Sequence, residues 1–593
     1  MSKEHINAKR ATDYVHSVSG CFFGVENYSH VIFSNPSTSG FLFMAHTYNI
    51  SRLLSLAAER FPYKRALVFP ESRDSTGRVA YTHVTFQQLE ALSSQYARGF
   101  ERQGITRGTK TLLMVRMSLD FTAVAFALFK LGAVPVMIDP GMGLAGFLAC
   151  VRQVNPEGFI GVPLAHVARM IFFRTFKRVK YPVTLGKRWF WGGERLGAFP
   201  ESPAPFDPVG MGADELAAIL FTSGSTGPAK GVEYTHKIFD TQVRILRDEF
   251  GIGPDNIDLP CFPLFGLFST GLGCTAVIPD MDPTRPARVN PERIIEAVNN
   301  QGVTYSFGSP AVWRAVSRHC AAERVTLPSL KRVFMAGAPV ASDLHRTLLE
   351  KVLPSDADTF TPYGATEALP VSCFTGREAL AETAELSQAG AGICVGKPVK
   401  DACVKIIAVN DDVIESWDDS LVLPTGDIGE IVVKGPMVTP AYFGREKQTR
   451  LAKIHGADGL WHRIGDLGYF DDQGRLWMCG RKSHRVMTGN GMMCTVRCEA
   501  IFNHHPAVSR SALVGVGDDP LNQTPVIVIE LEKEGAAPAA TVRRDLLAAA
   551  AANPLTAAIK TVLFHPSFPV DVRHNAKIDR GRLAAWASAG KMA

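Results

Sequence analysis

The chain lacks any long uninterrupted apolar run. Its best candidate for a membrane span, Phe121 to Ile138, is broken by Lys130 and followed by Asp139-Pro140, so it reads as a core helix leading into a strand. The N-terminus lacks the charged, apolar and small-residue order of a secretory leader, and none is expected. Metal-ligand spacing is missing as well. Eleven cysteines include no Cys-x-x-Cys pair, and Cys494 and Cys498, four apart, have no second ligand pair nearby. Packing suits that pair better than metal, and an odd, scattered set of thiols suits a reducing cytoplasm. Charge of one sign is scarce: a net +6 over 593 residues gives little footing for nucleic-acid binding. The G-x-x-x-x-G-K-[ST] order of a Walker A loop is absent, and no internal repeat stands out.

What is present is the composition of an ordinary globular enzyme, with 46% apolar and 20% charged residues. The length is too great for a single core, so two or more domains are expected. Helical and strand patterns alternate. Ile50–Arg60 has helical spacing, Ala66–Phe69 and Tyr81–Val84 read as strands, and Phe86–Gln103 as an amphipathic helix. Thr111–Arg116 is a strand, Leu119–Leu131 a helix and Val134–Ile138 another strand. Such alternation predicts an α/β fold with parallel or mixed sheets covered by helices. Residues 192–213, rich in proline and glycine, read as a surface connection. Near Gly480 the pattern changes to a small module with strands at Ala512–Val516 and Val526–Leu531 and an alanine-rich helix at Thr541–Ala552. Residues 1–43 are polar and turn-rich without periodicity, which suggests a disordered extension or a start assigned upstream of Met44.

The most specific stretch is residues 217–236. An apolar run, Ala217 to Phe221, reads as a buried strand and feeds Thr222-Ser223-Gly224-Ser225-Thr226-Gly227-Pro-Ala-Lys230. Gly224 and Gly227 let the backbone approach oxygens, while the hydroxyls and Lys230 offer donors and a point charge, a combination suited to polyphosphate. Glycine, serine and threonine also dominate ordinary surface turns. The strand before the loop and the lysine closing it favour the phosphate reading.

This loop resembles that of the adenylate-forming enzymes, which include acyl-CoA synthetases, luciferase-like enzymes and peptide-synthetase adenylation domains. Further matches follow in that family's order: Ala336-Gly337-Ala338-Pro339, Tyr363-Gly364-Ala365-Thr366-Glu367, Ile464-Gly465-Asp466 with Gly480-Arg481, and Asn575-Ala576-Lys577-Ile578. The matches run over about residues 48–585. The resemblance implies a large N-terminal nucleotide-binding domain, residues 44–478, and a small α+β C-terminal lid, residues 479–593. It also implies ATP and Mg²⁺ as cofactors and a carboxylate as substrate.

Adenylation requires that a carboxylate attack the α-phosphate of ATP and release pyrophosphate. The reaction crowds negative charge, so cations, backbone donors and a metal are needed. The resemblance assigns Glu367 to Mg²⁺, Thr366 to the α-phosphate and the ring of Tyr363 to adenine. Gly337, Ala338 and Pro339 would pass close to the adenine. Asp466 would accept from both ribose hydroxyls, with Arg481, fifteen positions on, as its companion. Lys577 resembles the lid lysine that reaches the acyl carboxylate and α-phosphate, although the usual Ser/Thr-Gly-Lys is here Asn-Ala-Lys. Outside that context an Asp in a Gly-Asp-Leu-Gly turn would read as a turn residue, and a lysine in a basic tail as merely solvated.

Departures from the thioester-forming pattern bear on the fate of the adenylate. Asn490 stands where a glycine flanks the pantetheine route, Ser483 stands at the hinge, and Gly266 stands where many relatives place a histidine. Four segments are similar to the olefin-biosynthesis β-lactone synthetases: Phe262-Pro-Leu-Phe-Gly-Leu-Phe268, Val277-Ile-Pro-Asp-Met-Asp-Pro-Thr-Arg-Pro286, Gly392-Ile-Cys-Val-Gly-Lys-Pro398 and Val572-Arg-His-Asn-Ala-Lys-Ile578. That branch adenylates a β-hydroxy fatty acid and lets the substrate's own hydroxyl close a β-lactone, an intramolecular attack that needs no pantetheine tunnel. The alternatives are an acyl-CoA ligase, in which coenzyme A is a substrate, an acyl-AMP ligase loading a carrier protein, and a non-catalytic nucleotide or lipid sensor. Intact Lys230, Glu367, Asp466 and Lys577 argue against the sensor.

One further stretch has a composition of its own. Residues 166–191 interleave Arg169, Arg174, Lys177, Arg178, Lys180, Lys187 and Arg188 with Phe172, Phe173, Phe176, Tyr181, Trp189, Phe190 and Trp191. The mixture fits a membrane interface, a surface for a partner enzyme, or an ordinary solvated face over a core.

Overall fold

The computed structural model describes residues 48–202, 204–222, 229–262, 264–532, 538–570 and 577–589. Residues 1–43, and Ser223 to Gly227 of the expected phosphate loop, therefore lie outside the described residues, and for Thr222 only the backbone is described.

Two large sheets organise the main body. A seven-stranded sheet runs in the order Glu194–Arg195, Tyr181–Thr184, Gly158–Gly161, Lys110–Met114, Val134–Ile138, Leu216–Thr222, Lys230–Thr235. Its strands pair in parallel except for the last two, which pair antiparallel. The second sheet has fourteen strands. Its parallel part contains Ile257–Pro260, Thr275–Val277, Tyr305–Gly308, Arg332–Met335 and Asp358–Ala365. Beyond Asp358–Ala365 it continues antiparallel through Ala368–Thr375 and Ile393–Pro398 to the hairpin of Gly459–Phe470 and Leu476–Arg481. The architecture is the α/β arrangement with mixed sheets and covering helices that the alternation predicts.

Local chemistry sets the helices. Phe86–Gln103 begins at a capping box in which Thr85 accepts from the Gln88 backbone and Gln88 returns the contact, and it ends at Gly104 in the left-handed conformation. Leu119–Lys130 is buried from Phe121 onward on every face. It packs in one cluster with Leu67 and Ala276 of the larger sheet and Ala218 and Leu220 of the smaller. A helix enclosed by two sheets has no solvent face, which explains an apolar run approaching membrane character. Lys130 at its end is fully buried, pairs with Glu90 and donates to Ser94 Oγ at 2.9 Å. The connection at 192–213 is better anchored than its composition suggests. Leu196, Phe199 and Met211 are buried, and Phe199 meets Phe100 edge-on at 5.6 Å.

The C-terminal part has its own three-stranded sheet, Val508–Val516, Thr524–Leu531 and Thr561–Phe564, with helices Thr495–Asn503, Ala539–Ala552 and Arg580–Ser588. Side chains alternate strictly. Leu513, Ile527 and Ile529 join Phe502 and Leu546 on one face, while Ala512, Val514, Val526 and Val528 join Leu583 on the other. Cys494 and Cys498 are buried here, their thiols pushed up to about 11 and about 12 by burial. All ten described cysteines are free thiols.

Candidate active site

The carboxyl ends of strands from both large sheets converge on one cavity of about 1770 Å³. Leu113, Val115 to Met117, Met137 to Asp139, Leu220 and Phe221 enter from the smaller sheet. Cys261, Ile278, Phe307 and Met335 to Pro339 enter from the larger. Ligands in open α/β sheets bind at these strand ends, and the volume exceeds the roughly 300–1,000 Å³ of a drug-sized site. Gly337, Ala338, Pro339, Tyr363, Gly364, Thr366, Glu367, Asp466, Arg481 and Lys577 all line it. These ten candidates, spread over 241 positions of the chain, are thus brought together.

Tyr363, Asp466 and Arg481 form a direct cluster. Asp466 and Arg481 are register partners in the hairpin of Gly459–Phe470 and Leu476–Arg481, so their separation in sequence is a cross-strand contact. Asp466 Oδ1 lies 3.1 Å from Arg481 Nη1, and Asp466 Oδ2 accepts from the Tyr363 hydroxyl at 2.7 Å. The Asp466 charge raises the Arg481 pKa above its ordinary value. Burial and the same carboxylate raise that of Tyr363. The phenol therefore stays protonated and donates.

Thr366 and Glu367 form the two-residue tip joining strands Asp358–Ala365 and Ala368–Thr375. Gly364 makes this hairpin possible: its φ is +155°, and a Cβ there would stand 2.4 Å from the Ala368 carbonyl oxygen. The tip is held from outside. Tyr234 donates to the Thr366 carbonyl at 2.6 Å, Thr439 N–H donates to the Glu367 carbonyl at 2.9 Å, and the Tyr442 hydroxyl donates to Glu367 Oε1 at 2.6 Å. Lys230 lies outside the cavity lining but close behind it, its ammonium 4.6 Å from the centre of the Tyr442 ring. Lys453, buried, donates to the Thr439 carbonyl. Burial pushes its amine down to about 7 against the opposing pull of Glu367. A fixed carboxylate completed by phosphate oxygens and water is a donor set that Mg²⁺ accepts, so the residues present fit that ion. Among the described residues no group of three or more His, Cys, Asp or Glu forms a protein-only metal site.

Lys577 enters from the C-terminal part. Ile578 bridges Val570, Asp579 N–H donates to the Pro569 carbonyl at 2.8 Å, and Arg580 grips buried Glu499 through contacts of 2.5 and 3.0 Å. Glu499 also accepts from Leu513 N–H at 2.8 Å. Burial raises the Glu499 carboxyl pKa, and Arg580 opposes the shift. His484, also on the cavity wall, is pushed down to about 4 by burial and by the neighbouring Arg580 and Arg481 charges.

Part of the cavity wall is an aromatic cluster. Phe265 stacks on Phe307 with centroids 3.6 Å apart, and Phe262 and Phe268 meet Phe265 at 6.3 and 5.5 Å. Phe121, Phe239 and Ile278 extend the wall. A Cβ at Gly266 would lie 3.3 Å from Met117 Cε and 3.4 Å from Pro260, so the small residue leaves Met117 its place on that wall.

Sequence reasoning missed Tyr234, Tyr442, Lys453, Glu499 and Arg580. Only Arg580 carried a local signal, since it follows Lys577-Ile578-Asp579.

Comparison with known proteins follows from this geometry. The AMP-binding enzyme family matches residues 54–443. An olefin beta-lactone synthetase of Stenotrophomonas maltophilia is 46% identical over 548 residues, covering 91% of this chain and 98% of that protein. One from Xanthomonas campestris pv. campestris is 45% identical over 554 residues, covering 91% and 97%. Among solved structures, the amide bond synthetase McbA of Marinactinospora thermotolerans superposes with a TM-score of 0.73 at 22% identity, covering 91% of this chain and 99% of that one. ATP-bound MatB of Rhodopseudomonas palustris gives 0.73 at 20% identity, covering 92% and 99%. These two likenesses speak for the fold.

Proposed function

The chain belongs to the AMP-binding enzymes, and on that premise we propose that it activates a long-chain 3-hydroxy acid with ATP and closes the adenylate to a β-lactone. In the first step a carboxylate oxygen of the acid bonds to the α-phosphorus, the bond to the β-phosphate bridging oxygen breaks, and pyrophosphate leaves. In the second, the 3-hydroxyl oxygen bonds to the acyl carbon, the bond to AMP breaks, and the hydroxyl proton passes to solvent. The reacting groups are already joined, so closure is unimolecular and needs no second substrate.

The observation that carries this reading is a single cavity lined both by Glu367, Asp466, Arg481 and Lys577 and by the aromatic cluster of Phe262, Phe265 and Phe307. The likeness to two olefin beta-lactone synthetases over nearly the whole chain supports the second step. In this reading Asp466 and Arg481 orient the ribose, Tyr363 and Gly337 to Pro339 flank the adenine, and Thr366 donates to the α-phosphate. Residues 222–227 and Lys230 cradle the outer phosphates. Lys577 holds the acyl carboxylate against the α-phosphate, with residues 479–593 acting as a lid on 44–478. Mg²⁺ at Glu367 would neutralise phosphate charge. The enzyme is read as cytoplasmic, with residues 166–191 meeting lipid where long acyl chains partition.

Mass spectrometry of products from ATP, Mg²⁺ and a long-chain 3-hydroxy acid, with and without coenzyme A, tests the proposal. The expected product is lighter than the acid by one water, independent of coenzyme A, and shows the infrared carbonyl absorption of a strained lactone. A coenzyme A-dependent thioester without lactone would instead make the chain an acyl-CoA ligase.

A further inference from the structure

Residues 163–193 contain seven lysines and arginines and no aspartate or glutamate. Subtracting these seven from the chain's +6 leaves the remainder at −1, so the basic excess of the whole protein resides in this one stretch. The same stretch concentrates exposed apolar surface. Of the twelve exposed large hydrophobic side chains among the described residues, six lie here: Leu164, Met170, Ile171, Phe173, Trp189 and Phe190. Leu164 and Phe190 are 76% and 79% exposed, far beyond the edge of any core.

These side chains come from two segments, helix Pro163–Ile171 with the turn after it and the loop 185–193, and the fold locks the two together. Trp191 is buried and stacks on His166 of the helix at 5.3 Å with the rings nearly parallel. Its indole N–H donates to Thr184 Oγ1 at 2.9 Å, and its carbonyl accepts from Arg169 at 2.9 Å. Phe176 is buried against Phe159 at 5.7 Å. The aromatic residues therefore divide into anchors, Phe176 and Trp191, and presented groups, Phe173, Trp189 and Phe190. Arg174, Lys177, Arg178, Lys180, Lys187 and Arg188 are exposed around the presented groups.

We propose that this face docks on an anionic lipid surface, with Trp189, Phe190, Phe173 and Leu164 entering the interface and the surrounding cations meeting head groups. Aromatic rings favour the interfacial zone and each nearby lysine or arginine adds electrostatic attraction. Apart from Glu157, which meets Lys180 at 3.2 Å, and exposed Glu194 at the end of the loop, the charge here is of one sign, which matches a lipid leaflet better than a protein face, whose rim carries both signs. Position supports the same occupant. The helix and the loop start from the carboxyl ends of Gly158–Gly161 and Tyr181–Thr184, at the sheet edge where Val115 to Met117 and Met137 to Asp139 line the cavity. Exposed Leu144 rises from that edge too. The docking does not depend on the reaction; its use, drawing an acid from lipid, rests on the long-chain substrate proposed above.

The test is flotation of the full chain with vesicles of equal parts phosphatidylcholine and phosphatidylglycerol, and with phosphatidylcholine alone. Wild type is expected to float with the anionic vesicles, less at high salt, and weakly with the neutral ones. Lys187→Ser with Arg188→Ser should weaken partitioning about thirtyfold, the effect of two interfacial cations. Trp189→Ser with Phe190→Ser should weaken it comparably, with unchanged thermal unfolding in both variants. No flotation of wild type, or flotation indifferent to both double variants, overturns the proposal. So does a self-associated form that the variants dissolve without any vesicle binding, which would assign the face to a second copy. A failed product assay alongside intact flotation would remove the reaction and leave the docking.

Discussion

Glu367 presents its carboxylate to the cavity with one oxygen already engaged by Tyr442, and the hydroxyl of that tyrosine has no acidic alternative because burial and Glu367 itself hold its proton on. Tyr442→Phe keeps the ring under Lys230 and deletes only the donor. A hydrogen bond to a charged group contributes about 1.5–3 kcal/mol, so pyrophosphate release at limiting Mg²⁺ should fall about tenfold or more and recover as Mg²⁺ is raised. Lys577→Ala acts differently, because the proposed role of Lys577 arises only as charge shifts between acyl oxygen and phosphorus. Pyrophosphate release should drop by roughly a hundredfold or more, as when an oxyanion donor is removed, while calorimetry still detects ATP binding.

The strand Ile257–Pro260 shows how an element tolerates a buried acid. Asp258 accepts from Ser269, whose oxygen in turn accepts from Tyr305 at 3.0 Å, and burial pushes its carboxyl from 3.8 up to about 8. The folded chain thus holds a proton that the unfolded chain releases near pH 4. Its contribution to stability is complete below that value and is lost as pH rises through about 8. Asp258→Asn should therefore flatten the decline of stability between about pH 5 and pH 8, removing up to about 1.4 kcal/mol per pH unit. Unfolding in denaturant at several pH values reads this directly, and parallel curves for wild type and variant would refute it.

Across the whole molecule, the segment beyond Arg481 is tied to the main body by buried charge. Arg463 Nη2 lies 2.7 Å from Glu430 Oε2, and Lys482 Nζ lies 3.1 Å from Glu430 Oε1 and donates to the Asn410 carbonyl at 2.8 Å. Arg485 reaches Asp411 and the Lys482 carbonyl, so Ser483, the expected hinge, sits between two tethered cations. Glu430→Ala would strand Arg463 without its counter-charge. Breaking a buried pair from one side costs about 3–5 kcal/mol, so denaturant unfolding should show a loss of that order.

Much of this protein is local enough to read from its residues. Phe86–Gln103 and Val134–Ile138 occupy the ranges their spacing predicts, because capping chemistry and side-chain period act within a few residues. The motifs ending in Lys230, Glu367, Asp466 and Lys577 are also written in short runs of sequence. Only the tertiary structure decided which of their neighbours meet. Tyr442 reaches Glu367 across 75 positions, Arg580 reaches Glu499 across 81, and Lys453 reaches the Thr439 carbonyl across 14. It also separated the aromatic residues of 166–191 into anchors and presented groups. The physical reason is that hydrophobic period and turn chemistry determine an element and its buried face, whereas contacts between distant elements depend on sheet order and strand register. Those are set by the packing of the whole chain.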